Sequence, residues 1–225
     1  MVVPALNEEQ TIARVVSDVR QTVPDATVLV VDDGSTDGTR AAALDSGAAV
    51  LSLPFNLGVG GALRAGFRYA QRYGYSRVVQ VDGDGQHRAQ DIPALLGELD
   101  HADLVVGARF AGVGEYETGF IRSLAMRLLA RSLSQRTQVR LTDTTSGFRA
   151  FSTKTIEIFA RDYPAEYLGD TVEALLIAAR AGCCIVQVPV EVQPRVAGRP
   201  SAGWFKSTLY LARVVLALGM SRLRR

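Results

Sequence analysis

Short runs of β-branched and other apolar residues alternate along this chain with segments whose apolar residues recur at helical spacing. The segments between the runs carry apolar side chains three and four positions apart, as at Ile12, Val15, Val16 and Val19. Strands that alternate with helices across short connections favour a mostly parallel sheet flanked by helices, an α/β fold. The predicted strands cover residues 2–3, 28–31, 50–53, 78–81 and 104–106.

The alternation breaks after Gly107. A loop rich in Gly and Glu at residues 111–119 precedes a long basic helix that the pattern predicts over residues 120–134. Helical spacing returns at residues 170–181, and an apolar run at residues 185–192 predicts a last strand.

The motif Asp82-Gly83-Asp84 follows the predicted strand at residues 78–81 directly. Mg²⁺ and Mn²⁺ prefer oxygen ligands and share them between protein and substrate phosphates. Ligands of open α/β sheets bind at the carboxyl ends of the strands, where this carboxylate pair is placed. The motif therefore indicates a divalent metal site, with Gln86 and His87 within reach. A polar turn after a strand is the alternative, because Asp-Gly is also common in turns.

Three other polar loops also follow predicted strands. Pro4-Ala5-Leu6-Asn7-Glu8-Glu9 follows the first, and Asn7 as a helix N-cap would explain it without function. Asp32-Asp33-Gly34-Ser35 follows the second and has more charge than a turn needs, so a carboxylate here could accept hydrogen bonds from a base or ribose. Asn56-Leu57-Gly58-Val59-Gly60-Gly61 follows the third strand and resembles a dinucleotide-binding glycine motif only loosely. Since that motif follows the first strand of its fold, close backbone packing explains these glycines better.

Composition and charge divide the chain into two parts. Its 225 residues, with 48% hydrophobic and 21% charged residues, are typical of one globular domain with an appendage. The net charge of +2 conceals an asymmetry, because no acidic residue follows Glu191 although seven basic residues do. We therefore predict a folded domain over residues 1–192 and a basic amphipathic segment over residues 193–225. The basic segment indicates an anionic partner: phosphate, nucleic acid or a lipid surface.

The two cysteines, Cys183 and Cys184, are adjacent in an apolar run. Neighbouring residues of a strand point to opposite faces, so an internal disulfide is not expected and a reduced, cytosolic setting is favoured. We see no leader peptide after Met1 and no stretch of about 20 apolar residues that would span a membrane.

Taken together and in this order, the polar loops resemble those of the family 2 glycosyltransferases of the GT-A fold. Within that family the sequence is most similar to the branch of dolichol- or polyprenyl-phosphate mannosyltransferases. The similarity extends from the N-terminus to about Arg199. The motifs that carry it are Pro4-Ala5-Leu6-Asn7-Glu8-Glu9, Asp32-Asp33-Gly34-Ser35, Asn56-Leu57-Gly58, Asp82-Gly83-Asp84-Gly85-Gln86-His87, Gly107-Ala108-Arg109 and Asp143-Thr144-Thr145-Ser146-Gly147-Phe148-Arg149.

This resemblance implies a GT-A (Rossmann-like) domain over residues 1–192 and a role for each matching residue. The metal, Mg²⁺ or Mn²⁺, would be held by Asp82, Asp84 and Gln86. The acceptor or its phosphate would be bound by Asp143, Ser146, Arg149 and Arg195. The nucleotide would be bound by Pro4, Ala5, Asn7, Glu8, Asp33, Asp82 and Gly83.

Catalysis is assigned by the resemblance to Asp84, Arg109, Arg122 and Asp170. The two arginines would hold phosphate, for which the planar guanidinium is well suited. Arg122 could instead be an exposed helix residue, and Arg195 a cation of the tail. Asp170 lies where many relatives place an acidic base, although it could equally be the N-cap of the helix that follows.

The implied activity is metal-dependent, inverting transfer of a hexose from a nucleotide-diphosphate sugar, of the GDP-mannose or UDP-glucose type, to a polyprenyl or dolichyl phosphate. Two alternatives stay open. One is transfer to a saccharide hydroxyl in cell-envelope polysaccharide synthesis, and the other is a non-catalytic subunit that binds nucleotide-sugar. Nucleic acid is not an expected partner, because the strand-end loops are acidic and few aromatic residues lie among the basic ones.

Membrane-anchored members of this branch carry transmembrane helices after the catalytic domain. Here residues 209–220 are apolar apart from Arg213 and too short to span a bilayer. With Trp204 and Phe205 before it, this segment could form an amphipathic helix at a membrane interface. Packing on the core and docking on a separate membrane subunit are the alternatives. We expect a cytoplasmic enzyme, peripheral at the cytosolic face of the membrane.

Overall fold

The computed structural model describes residues 1–109, 142–164 and 170–194, which contain seven strands and six α-helices. The strands are β1 (Val2–Ala5), β2 (Leu29–Asp32), β3 (Ala49–Ser52), β4 (Arg77–Gln80), β5 (Leu104–Arg109), β6 (Arg149–Ser152) and β7 (Ile185–Val190). The helices are α1 (Ile12–Thr22), α2 (Thr39–Asp45), α3 (Gly58–Arg72), α4 (Ile92–Glu98), α5 (Thr153–Asp162) and α6 (Asp170–Arg180), with a short 3₁₀ helix at Ala89–Asp91.

All seven strands form one sheet in the order β3-β2-β1-β4-β6-β5-β7. The neighbours β1–β2, β2–β3, β1–β4 and β5–β7 are parallel. Strand β6 is antiparallel to both of its neighbours, β4 and β5. The strand order changes direction at β1 and β4, and ligands of such sheets bind in the crevice at that point.

The core consists of two apolar layers, one on each face of the sheet. Successive strand residues alternate between the layers, so that Val2 packs on one face and Val3 on the other. The apolar stripe of α1 is buried in the layer that also contains α4. In the opposite layer Phe67 of α3 lies against Phe151 and Phe159, at ring-centroid distances of 4.8 and 5.5 Å. Helices therefore cover both faces and leave the strand ends for the loops.

The predicted α/β class and mostly parallel sheet are confirmed, and each of the five predicted strands before residue 107 forms. The last strand ends at Val190, before the predicted limit, and Val192 makes only an isolated bridge with His87. The sequence pattern did not predict α5 or the antiparallel direction of β6. The predicted loop at residues 111–119, the basic helix at residues 120–134 and the tail from residue 195 onward lie outside the described residues. Among the helices that the structure describes, none is long and apolar enough to cross a membrane.

Candidate active site

Four polar loops meet at one edge of the sheet. The loops after β1, β2 and β4 do so because these strands are parallel, which places their carboxyl ends together. Strand β6 runs the other way and pairs its first residue, Arg149, with the last residue of β4, Gln80. Residues 142–148, which precede β6, therefore reach the same edge as the loop that follows β4.

Asp82 lies at the centre of this edge. Gln80 Nε2 donates a hydrogen bond to Asp82 Oδ1 over 3.3 Å. Gly147 approaches from the facing loop so closely that a Cβ on it would lie 3.0 Å from Asp82 Oδ2 and 3.2 Å from Oδ1. The structure thus places a predicted metal ligand beside residues 142–148, which contain Asp143 and Ser146 and form the predicted acceptor loop.

Asp84 and Gln86, the other predicted metal ligands, share a tight turn. Asp84 is buried, and its Oδ1 accepts a hydrogen bond from the Gln86 backbone N–H over 3.0 Å. Gln193 holds this turn from outside, because its N–H donates to Gln86 O over 2.9 Å and its carbonyl accepts from Gln86 Nε2 at 3.4 Å. The turn is therefore anchored to the chain that leaves β7.

The side-chain oxygens at this edge suit a hard divalent cation whose remaining ligands come from the substrate. Asp82 and Asp84 supply carboxylates and Gln86 an amide oxygen, the ligand types that Mg²⁺ and Mn²⁺ accept. Over residues 1–109, 142–164 and 170–194, no group of three or more His, Cys, Asp or Glu side chains could hold a metal alone. Mg²⁺ is commonly held by one or two carboxylates plus substrate phosphates, so the two carboxylates fit this kind of site.

Asn7 and Glu8 join the loop after β1 to the loop after β2. Asn7 has a left-handed backbone conformation, φ +56°, which Asn tolerates better than most residues. Its Oδ1 accepts from the Thr36 N–H over 2.9 Å, and the Glu8 N–H donates to Thr39 Oγ1 over 2.8 Å. Asn7 does not cap α1, which begins at Ile12 after Thr11. The helix-cap interpretation of Asn7 is therefore wrong.

The residues Pro4, Ala5 and Gly83, all predicted to contact nucleotide, pack together where β1 and β4 end. A Cβ on Gly83 would lie 3.2 Å from the carbonyl oxygen of Pro4 and 3.5 Å from Ala5 Cβ. Thr11 Oγ1 donates to Gly83 O over 2.7 Å. The structure therefore brings these three residues together beside Asp82 and Asp84.

Asp33 is buried and connects β2 to the start of α3. Its Oδ1 accepts from the Leu57 N–H over 2.7 Å, and its carboxylate also accepts from the Gly58 N–H. Burial raises the pKa of Asp33 above its ordinary value of 3.8, the two N–H donors oppose that rise, and the charge on Asp32 adds to it. In this structure one carboxylate oxygen of Asp33 is thus engaged with the backbone.

The predicted acceptor loop is held by internal hydrogen bonds and by β7. Asp143 Oδ1 accepts from the Thr145 N–H over 3.0 Å, and Ser146 Oγ accepts from the Phe148 N–H over 3.2 Å. Gln187 of β7, which the sequence analysis did not single out, clamps the loop's start. Its Oε1 accepts from the Thr142 N–H over 2.7 Å and its Nε2 donates to Asp143 O over 2.8 Å.

The position of Arg149 disagrees with the expectation that this residue binds acceptor phosphate. The residue is fully buried, at 0% exposure. Its guanidinium donates to the carbonyl oxygens of Ser146, Thr144 and Thr171 over 2.8, 3.1 and 2.8 Å. A side chain directed into the protein in this way ties the acceptor loop to the first turn of α6. Its role in this structure is to support the loop.

Four of the predicted site residues cannot be placed at this edge by their side chains. The backbone of Arg109 ends β5, and the backbone of Asp170 begins α6, but both side chains lie outside the described residues. Arg122 and Arg195 lie outside them entirely. Their predicted roles stay predictions.

Comparison with known proteins agrees with this geometry. Residues 1–159 match the family described as Glycosyl transferase family 2. The chain is 35% identical to the undecaprenyl-phosphate mannosyltransferase of Micrococcus luteus, with 88% of this chain and 84% of that protein aligned. It is 30% identical to the polyprenol monophosphomannose synthase of Mycolicibacterium smegmatis, with 88% and 78% aligned.

The chain belongs to glycosyl transferase family 2. A solved structure of glucosyl-3-phosphoglycerate synthase from Mycobacterium tuberculosis, in complex with Mn²⁺, UDP and phosphoglyceric acid, superposes with a TM-score of 0.70. The superposition covers 98% of this chain and 76% of that one, at 27% identity. The predicted GT-A fold and the prediction of a glycosyltransferase are both confirmed.

The buried carboxylate of this glycosyltransferase at Asp33 predicts a pH-dependent stability. Because its pKa is higher in the folded than in the unfolded state, its favourable contribution is complete below pH 3.8 and is lost as pH rises through the folded pKa. Asp33→Asn keeps an oxygen that can accept from Leu57 but does not ionise. Urea denaturation of both proteins, from below pH 3.8 to neutral pH, should show wild type losing free energy of unfolding relative to the variant. A difference that is constant over this range would contradict the prediction.

Proposed function

We propose that this enzyme transfers a hexose from a nucleotide-diphosphate sugar to a polyprenyl phosphate, with Mg²⁺ or Mn²⁺ at Asp82, Asp84 and Gln86. The observation that carries the proposal is the close approach of Gly147 to the Asp82 carboxylate, which leaves little room for a Cβ. This proximity supports a metal diphosphate at Asp82 that would lie beside the loop assigned to the acceptor. The alignment with two enzymes named for polyprenyl phosphate mannosylation supports the lipid phosphate and favours mannose as the sugar.

The donor would lie along the carboxyl ends of β1, β2 and β4. When bound, the metal supplies positive charge that stabilises the departing diphosphate. Asp82, Asp84 and Gln86 would hold that metal together with diphosphate oxygens. Because Asn7 and Asp33 bond to backbone N–H groups of neighbouring loops, we infer that they shape the pocket for base and ribose at least as much as they contact it. Pro4, Ala5, Glu8 and Gly83 would complete its wall.

The acceptor determines whether a base is needed. A phosphate monoester has a second pKa of about 6, so near neutral pH it is largely dianionic and can attack the anomeric carbon without losing a proton first. Its oxygen forms the new bond as the sugar–diphosphate bond breaks, and this single displacement inverts the anomeric centre. Asp143 and Ser146 would border the acceptor. Arg149 would act only by holding their loop.

Arg109, Arg122 and Arg195 would neutralise phosphate on the donor or acceptor, and Asp170 would act as a base only for a hydroxyl acceptor.

A hydroxyl acceptor is the second candidate. The glucosyl-3-phosphoglycerate synthase that shares the fold was crystallised with phosphoglyceric acid, which carries a hydroxyl beside its phosphate. A non-catalytic subunit is disfavoured because Asp82, Asp84 and Gln86 are all retained.

Binding of nucleoside diphosphate should depend on the metal through Asp84. Asp84→Asn retains an oxygen for the Gln86 N–H but removes the charge, so Mn²⁺-dependent affinity should fall by about 100-fold or more. That loss exceeds the roughly 10-fold to 100-fold typical of residues that only support metal ligands. Titration calorimetry with GDP and with UDP, each with Mn²⁺ or with EDTA, measures this. Asp100→Asn, at an exposed ion pair with Arg77, is the matched control. Equal Mn²⁺-dependent affinity in wild type and Asp84→Asn would refute the metal assignment.

A polyprenyl phosphate should accept the sugar and the free polyprenol should not. Purified enzyme is incubated with GDP-mannose or UDP-glucose and one of three acceptors: polyprenyl phosphate, polyprenol or phosphoglyceric acid. Product is measured by mass spectrometry. The phosphate nucleophile predicts transfer to the first acceptor alone, because the alcohol lacks a nucleophilic oxyanion at neutral pH. Transfer to phosphoglyceric acid alone would establish the second candidate, and equal transfer to polyprenol and its phosphate would contradict the proposed chemistry.

We further propose that the basic segment at residues 193–225 brings the enzyme to the membrane that holds its acceptor. Each basic residue near an anionic leaflet contributes about 1 kcal/mol, and salt weakens the attraction. The enzyme should float with anionic vesicles at low salt and much less at high salt, and vesicles of neutral lipid are the control. Removal of the segment from Trp204 onward should abolish flotation. Absence of flotation with every vesicle would contradict this proposal and leave packing on the core or docking on a separate membrane subunit as the explanations.

A further inference from the structure

His87 contacts Asp82 at both the backbone and the side chain of the aspartate. The Asp82 N–H donates to His87 Nδ1 over 3.1 Å. On the other side of the ring, Nε2 lies 3.6 Å from Asp82 Oδ2. Because Nδ1 accepts a hydrogen bond, the neutral ring carries its proton on Nε2, toward the carboxylate. The imidazole therefore contacts one residue at two points.

The ring is itself held from both the chain and the core. His87 stacks on Phe148, with centroids 4.7 Å apart and ring planes at 14°, and Phe148 is only 1% exposed. A bridge to Val192 holds its backbone. The side chain of His87 is 9% exposed. It thus has little freedom to leave the position from which it contacts Asp82.

Asp82 needs such support because it lies past the end of β4. Its N–H lies outside the hydrogen-bond pattern of the sheet and is partly buried, so a partner for it is favourable. Residues that orient a metal ligand indirectly commonly affect metal affinity about 10-fold to 100-fold. We propose that His87 is a positioning residue, which fixes the Asp82 carboxylate for the divalent metal by accepting the Asp82 N–H at Nδ1.

This inference rests on the proposed function, because it takes Asp82 as a metal ligand. It goes further in giving His87 a task that needs no contact with metal, nucleotide or acceptor. It also connects the two loops, since Phe148 directly follows Gly147, which lies so close to the same carboxylate that a Cβ would crowd it. Acceptor loop and metal ligand are then held by one cluster of Asp82, His87, Gly147 and Phe148.

Three substitutions separate the hydrogen bond from the packing. His87→Phe keeps an aromatic ring over Phe148 but removes the hydrogen-bond acceptor Nδ1. His87→Asn and His87→Leu are close in shape and both lose the ring, but only Asn offers an oxygen near the position of Nδ1. His101→Asn, at the exposed second histidine, is the control for loss of a histidine elsewhere. Thermal unfolding establishes that each variant is folded.

The readout is Mn²⁺ affinity, from the electron paramagnetic resonance signal of free Mn²⁺ in the presence of GDP or UDP. His87→Phe and His87→Leu should bind Mn²⁺ about 10-fold to 100-fold more weakly than wild type, and His87→Asn should recover most of that loss. The Mn²⁺ concentration for half-maximal transfer should shift in parallel, with the maximal rate largely restored at high Mn²⁺.

Wild-type affinity in His87→Phe would overturn the inference, as would equal weakness in the Asn and Leu variants, since ring packing would then explain the loss. Should His87→Phe fail to fold, the comparison of Asn with Leu still decides. If wild type itself binds no Mn²⁺ with either nucleotide, the proposed function fails together with the inference. If wild type binds and the variants match it, only the inference fails.

Discussion

The close approach of Gly147 to the Asp82 carboxylate is the contact on which the geometry of the site depends. It exists because β6 is inserted antiparallel between β4 and β5, which brings the residues before β6 to the edge where β4 ends. A parallel strand would have delivered its preceding loop to the opposite edge. One reversal of chain direction thus brings the predicted acceptor loop so close to the Asp82 carboxylate that a Cβ at Gly147 would crowd it.

An irregular loop at this position must have partners for its backbone, and two side chains provide several of them. Arg149 donates to the carbonyls of Ser146, Thr144 and Thr171, and Gln187 bonds to the backbone of Thr142 and Asp143. Hydrogen bonds that involve a charged group contribute about 1.5–3 kcal/mol each, so a buried guanidinium with three carbonyl acceptors holds the loop firmly. These hydrogen bonds hold the loop at the edge of the sheet where Asp82 lies.

Sequence periodicity predicted the strands before residue 107 and the helices between them, since burial of one face is a local pattern. The order of the motifs also predicted that Asp33, Asp82 and Asp84 would share one edge. The direction of β6 and the task of Arg149 were not predictable, because both depend on which distant residues lie alongside. A guanidinium is equally suited to a phosphate and to backbone carbonyls, and only the tertiary structure distinguishes them. The helix-cap interpretation of Asn7 fails for the same reason: the partner of its side chain, Thr36, lies in another loop.

The donor set at Asp82, Asp84 and Gln86 has a thermodynamic consequence. Within the described residues no third carboxylate or imidazole joins the two carboxylates as a ligand group, so protein donors alone leave much of a divalent ion's coordination shell to water or phosphate. With the metal site as proposed, metal and diphosphate would complete each other's site. Linkage requires that each raises the affinity for the other by the same factor. If Asp82 is a metal ligand as proposed, its contacts with Gln80 and His87 would reduce the binding free energy that is needed to order the carboxylate.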